Sequence, residues 1–346
     1  QRLDIASLNT KGGEFFNSDS SIKVGYGVDM TGLSQLRDPF LDAQYRSQIC
    51  KLGTTDAHAA GNEQLTPIFD ETTMDGVRAA LRQISSSLET LSNQVGNQEF
   101  DTMVRSNTQI LLNLFHENAT KLDAVREEIL NSFEITDVTG VNQLLQNIAD
   151  LNVSIKNSQV LGNPALELQD QRNTLLDELA SYLPVSIEYS DREIGPGVSV
   201  EVLDVYFTST DGTRYSLISD GRCGSFQADI SGEPVTLELN DSVGNLAVDV
   251  TNTMGNGTLK GTLDFLNKSG DFDGSDYKGI GYYQKALDTL VAKFAEVFNA
   301  ANTSINAPTD RPLFDTIDGS GIFSASNIKI HDNWTNGTYG ITNSTV

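Results

Sequence analysis

The chain has 346 residues, 38% of them apolar, and a formal net charge of -24. That length allows two or three domains with a sizeable buried core, while the acidic excess offers nucleic acid and anionic membrane surfaces no basic patch to meet. No run of eighteen apolar residues occurs, so no membrane-spanning helix is expected.

Gln1-Arg2 opens the chain with neither Met nor the apolar stretch of a signal peptide, and a piece with its natural ends removed is the expectation. Cys50 and Cys223 lie far apart, which excludes a disulfide framework or a Cys-x-x-Cys metal site. Two isolated thiols are expected, with a single linking disulfide left open.

The first thirty residues read as extended. Ile22, Val24, Tyr26, Val28 and Met30 alternate at period two between glycines. Asp38 followed by Pro39 then carries a helix-start signature, a capping carboxylate ahead of a proline suited to the first helical position.

From about Gln64 to Leu183 the pattern is helical. Val77, Leu81, Ile84, Leu88 and Leu91 step by four and three, and Leu111, Phe115, Leu122, Val125, Ile129 and Phe133 mark a second stripe. A helix from Glu99 to Phe133 would run to roughly 50 Å. Val141, Leu144, Ile148, Leu151 and Ile155 continue the seam among Asn, Gln, Asp and Ser, and Leu175, Leu176, Leu179 and Leu183 close it. Long helices with one narrow apolar face predict an elongated bundle.

The period changes at Pro184. "VSVEVLDVYF", "VTLELND" and "NLAVDVTN" read as strands, with turn signals at Asp211-Gly212 and Asp220-Gly221. Tyr283, Leu287, Leu290, Phe294 and Val297 restore a helical seam.

The predicted architecture is multidomain α and β. Residues 1–183 and 255–305 form an elongated helical bundle with an extended segment at 1–36, residues 184–254 an inserted antiparallel β domain, and residues 306–346 the start of a second, truncated β region.

Chemistry is sparse. The three histidines, His58, His116 and His331, form no His-Glu-x-x-His pattern. Asp271, Asp273 and Asp276 suggest a calcium loop, but the spacing of glycine and the missing twelfth-position glutamate break the pattern, leaving a solvated acidic loop. A paired-carboxylate glycosidase would want aromatic stacking residues, and the lone tryptophan, Trp334, lies in an irregular tail. No nucleophile elbow, phosphate loop or dinucleotide fingerprint occurs. No catalytic residue, cofactor or metal site is assigned.

Three stretches then resemble a known family. "GYGVDMTGLSQLRDPFLDAQYRSQ" (25–48), "NPALELQDQRNTLLDELASYLPVSIEY" (163–189) and "GNGTLKGTLDFLN" with the helix after it (255–303) are similar, in this order, to segments of the bacterial flagellar hook-associated protein 1 family. Asp170, Gln171 and Arg172 match an Asp-Gln-Arg-Asp helix motif, with Asn173 in place of the last Asp. Gln35 stands where the family often has arginine. Gly257-Thr258-Leu259-Lys260-Gly261 matches a Gly-x-Leu-x-Gly strand of the family.

The resemblance implies a structural adaptor of the bacterial flagellum, with no enzymatic activity. It implies export without a cleavable signal and folding outside the cell in a ring between hook and filament. Its partners would be copies of itself, the hook protein and the next junction protein, with no nucleic acid or membrane among them. The piece itself is expected to be a monomer.

Interface candidates on this reading are Arg37, Asp38, Gln44 and Arg46, at the start of the first helix. Flagellin, the second junction protein, and a secreted binding or enzymatic module carried by the β portion are the alternatives.

Overall fold

A computed structural model describes residues 38–70, 76–93, 97–196, 198–244, 247–302 and 311–341. The alternation at Ile22–Met30 and the positions Gln35 and Arg37 lie outside these residues. Helices and antiparallel sheets build the described chain, as the periodicities predict.

Helix α1 (Pro39–Phe69) begins as read: the Asp38 carboxylate accepts the amides of Phe40 and Leu41 at 2.9 and 3.3 Å, and Pro39 occupies the first turn. Helix α2 (Val77–Asn93) lies along α3 (Gln98–Ser132). Only Ile84 of its predicted stripe is fully buried, and the rest is half covered.

The predicted end of a helix at Phe133 does not occur. Residues Phe133–Val138 form a π-turn that passes straight into α4 (Thr139–Val160), so helical backbone continues from 98 to 160. The wider turn lets Phe133, Val138 and Val141 all face inward, although they do not fall on one α-helical line. Ile135 is left on the outside.

Helix α5 (Leu166–Tyr182) runs back against α4 and leads to the strands. One antiparallel sheet has the order β1 (Val185–Gly195), β2 (Val198–Thr208), β3 (Arg214–Ser219), β4 (Arg222–Cys223). A second has the order β5 (Ser225–Asp229), β6 (Thr236–Asn240), β7 (Val248–Asp249). Asp220 and Gly221 both have positive φ, 46° and 78°, as the two-residue hairpin between β3 and β4 requires. Helix α4 packs against β2 and against the edges of both sheets.

The Gly-x-Leu-x-Gly stretch is not a strand. Thr258–Asn267 is helix α6, and Leu259, Leu263 and Leu266 recur at helical steps on its buried face. Gly61 of α1 lies against the Phe265 ring, and Gly261 of α6 against Thr54 and Ala57, so both glycines admit a close crossing of α1 and α6.

Helix α7 (Ile280–Ala301) packs on α3, but it turns Leu287, Val291 and Phe294 inward. Leu290 and Val297, read as part of its seam, are 41% and 62% exposed. The described neighbours of α7 cover one side of the helix only.

Residues 311–341 fold onto the helices. Strands β8 (Phe314–Thr316) and β9 (Ile328–Ile330) pair, and a short helix α8 (Asp332–Thr335) buries Trp334 edge-on to Phe314. Arg105 Nη1 on α3 donates to the Trp334 carbonyl at 2.7 Å, which ties the tail to the bundle. One apolar core runs without a break from helices to strands.

Candidate interface and the helix–sheet junction

Of the interface candidates, Asp38 caps α1 and Gln44 and Arg46 lie in its first two turns. Asp38 is exposed, with one carboxylate oxygen engaged in capping, and Gln44 is exposed. Arg37 lies outside the described residues. Arg46 differs from the expectation of a surface residue. It is 5% exposed, and its Nε donates to Asp177 Oδ1 of α5 at 2.8 Å, so this cation holds two helices of its own chain together.

What surrounds Asp38 and Gln44 is apolar. Phe40, Leu41, Tyr45 and Leu52 are each more than half exposed, and the last three follow one side of α1 at steps of four and seven. Sequence reasoning marked the polar residues of "RDPFLDAQYR" and passed over these. Their spacing was the available signal, but spacing alone does not tell a covered stripe from an open one.

A second constellation joins the sheet to the bundle. Arg172 of α5 is 2% exposed, and its Nη2 meets Glu201 Oε1 of β2 at 2.5 Å. Its Nη1 donates to Asn152 Oδ1 of α4 at 3.1 Å, and its guanidinium lies over the Tyr189 ring of β1. The Tyr189 hydroxyl in turn donates to Asn173 Oδ1.

Nearby, the Glu201 amide donates to Gln159 Oε1 at 2.8 Å, and Asn142 exchanges two hydrogen bonds with the backbone of Phe226. Arg172, Gln159 and Asn142 thus satisfy strand charge and backbone along one seam. Of the Asp-Gln-Arg stretch, Arg172 makes the contact, while Gln171 is exposed. Sequence pointed to this stretch by resemblance but assigned it no partner.

The titratable groups elsewhere serve packing. His58 stacks on Tyr277 at 3.6 Å between ring centres, and desolvation lowers its pKa despite the Asp264 carboxylate 3.6 Å away. Asp264 also pairs with Lys260 and Lys268 of its own helix turn. Burial raises the Asp137 carboxyl on the π-turn to about 6, against the hydrogen bond from Thr262.

Both thiols are free: burial pushes Cys50 up to about 12, and Cys223 donates to Gln146. His116 meets the Ile328 carbonyl at 2.8 Å and His331 accepts the Asn333 amide. Among the described residues, the acidic loop at 271–276 included, no group of three or more His, Cys, Asp or Glu could hold a metal ion. No described helix is long and apolar enough to cross a membrane.

An apolar hollow of about 300 Å³ lies between Phe69, Val77, Leu114, Leu287 and Leu290. At its rim Glu117 and Lys121 form a helix-surface ion pair at 2.7 Å. Among the described residues the hollow has the character of a packing face.

Residues 62–305, more than half of the chain, match the model of the flagellar hook-associated protein FlgK helical domain. Flagellar hook-associated protein 1 of Bacillus subtilis (strain 168) is 27% identical over 290 residues, which cover 80% of this chain and 55% of the relative. The solved flagellar hook junction protein FlgK from Burkholderia pseudomallei superposes with a TM-score of 0.58 at 18% identity, over 83% of this chain and 46% of that one. The chain therefore spans about half the length of these relatives.

Proposed function

Because the chain belongs to the family of the flagellar hook-associated protein FlgK helical domain, we propose that it is the helical and β portion of a hook–filament junction protein, a structural subunit of the bacterial flagellum. The match over 62–305 carries this reading, since it follows the helices from the last two turns of α1 through α7 and includes the β portion between them. The arrangement of the site supports it. Polar side chains close the fold on itself at Arg46 and Arg172, and apolar faces stay open at the start of α1 and along α7.

On this reading the protein acts by packing and has no catalytic step. The whole protein forms a ring of its own copies between the hook protein and the next junction protein, outside the cell after export through the flagellar apparatus. The start of α1, with Asp38, Gln44, Leu41 and Tyr45, belongs to the surface that meets neighbours. The division into a helical bundle (1–183 and 255–305), a β domain (184–254) and a second β region (306–346) remains our assignment of units.

Deleting the gene in its motile host tests the proposal. The expected result is bare hooks with unpolymerised flagellin in the medium. Normal filaments with no leaked flagellin would overturn it.

A further inference from the structure

Two asparagines of this chain precede glycine, and both lie in the same tripeptide: Asn256-Gly257-Thr258 and Asn336-Gly337-Thr338. An Asn-Gly bond is chemically labile, because glycine has no side chain to shield its nitrogen or restrict the approach. The glycine nitrogen attacks the asparagine Cγ. An N–Cγ bond forms, the nitrogen's proton passes to solvent, and the Cγ–Nδ2 bond breaks to release ammonia. Water then opens the five-membered imide at either carbonyl, leaving aspartate or isoaspartate. Water is the only co-reactant.

With the local chemistry shared, the fold decides which site reacts. At Gly257 the nitrogen donates to Thr54 Oγ1 at 2.7 Å, and the same hydroxyl reaches the Gly257 carbonyl at 3.3 Å. Gly257 is buried with φ 108°, and its Cα is pressed against the Tyr182 carbonyl so closely that a Cβ would have no room. The attacking nitrogen is engaged and its peptide is held.

Asn336 and Gly337 sit instead on the exposed turn that ends α8. The Gly337 nitrogen makes a long 3.3 Å bond to the Trp334 carbonyl, and nothing lies within 4 Å of where a Cβ would stand.

We infer that Asn336 is a site of spontaneous deamidation and isomerisation in the folded protein, and that Thr54 keeps Asn256 silent. The position has consequences for the tail. Arg105 Nη1 binds the Trp334 and Thr335 carbonyls just before Asn336. The Tyr339 hydroxyl donates to the Pro312 carbonyl, and the Ile341 amide to Asp101 Oδ1, just after it. An isoaspartate adds a backbone methylene between these anchors, so the segment after 336 loosens from α3.

The test incubates the intact chain in mildly alkaline buffer and follows both peptides by mass spectrometry for the gain of about 1 Da. In the folded chain Asn336 should convert on the order of tenfold or more faster than Asn256, whose nitrogen must first be freed by local opening. In urea the two rates should converge, since the tripeptides are the same. Thr54→Ala should raise conversion at Asn256 while leaving Asn336 unchanged. Equal rates in the folded chain, or a preference for Asn336 that persists in urea, would overturn the inference. An Asn256 that stays silent in the T54A chain would overturn the role of Thr54.

Discussion

Truncating Arg172 removes the donor that joins Asn152 on α4 to Glu201 on β2 and leaves a carboxylate facing a gap. Breaking a buried pair in this way costs about 3 kcal/mol. Arg172→Ala should therefore lower the urea midpoint sharply. Lys121→Ala, which breaks an exposed pair with Glu117, should cost less than about 0.5 kcal/mol.

Asp137 makes a pH prediction. Its folded pKa, about 6, is raised above the ordinary 3.8. Its contribution to stability is thus full below the ordinary value and lost as pH rises through about 6. His58 runs the other way: its value is lowered, so stability falls as pH drops below the ordinary 6.5. Asp137→Asn keeps an acceptor for Thr262 and removes only the first slope. Urea titrations should show the variant gaining on the order of 1–3 kcal/mol over the parent above pH about 6, with the difference vanishing towards pH about 4. Of these residues only the Asp38 cap was legible in sequence, because capping is local. Arg46, Arg172 and Asp137 meet partners on other elements of the fold, and no local pattern marks such a partner.

Helices and strands were legible where one face is apolar at a steady period, and less so where two elements share an axis. The seam ending at Phe133 and the one starting at Val141 belong to one helical run because the π-turn rotates one into line with the other. The Gly-x-Leu-x-Gly stretch was misread as a strand by resemblance, while Leu259, Leu263 and Leu266 follow a helical step.

Glycines separate crossing from propensity in the same elements. Gly261→Ala would place a Cβ 2.8 Å from the Thr54 carbonyl oxygen, and overpacking of this kind costs about 1–3 kcal/mol. Gly140 of α4 has nothing within 4 Å of where a methyl group would stand, so Gly140→Ala should stabilise by about 0.5–1 kcal/mol through helix propensity. Thermal unfolding of the two variants should move in opposite directions. On the open face of α1, Leu41→Ser with Tyr45→Ser should leave the unfolding midpoint within about 0.5 kcal/mol of the parent. The same pair of changes in the complete protein should impair filament assembly, and unimpaired motility would remove that face from the interface.

At the scale of the molecule, a net charge of -24 repels itself across the whole surface. Raising NaCl from about 0.01 to about 1 M shortens the screening length from about 30 to about 3 Å. The melting temperature should rise; a fall would mean that local pairs such as Lys121–Glu117 outweigh the long-range repulsion. The order of helices, antiparallel strands and returning helix was determined by the sequence itself, since each element announces its period within a few residues, and three motifs in that order pointed to the flagellar family. The tertiary structure alone decided which apolar stripes are covered. Leu287 and Leu290 obey the same local rule, yet one is buried and the other exposed, because α3 and the tail reach only one side of α7. A stripe is a property of one helix, whereas its burial is a property of what packs beside it.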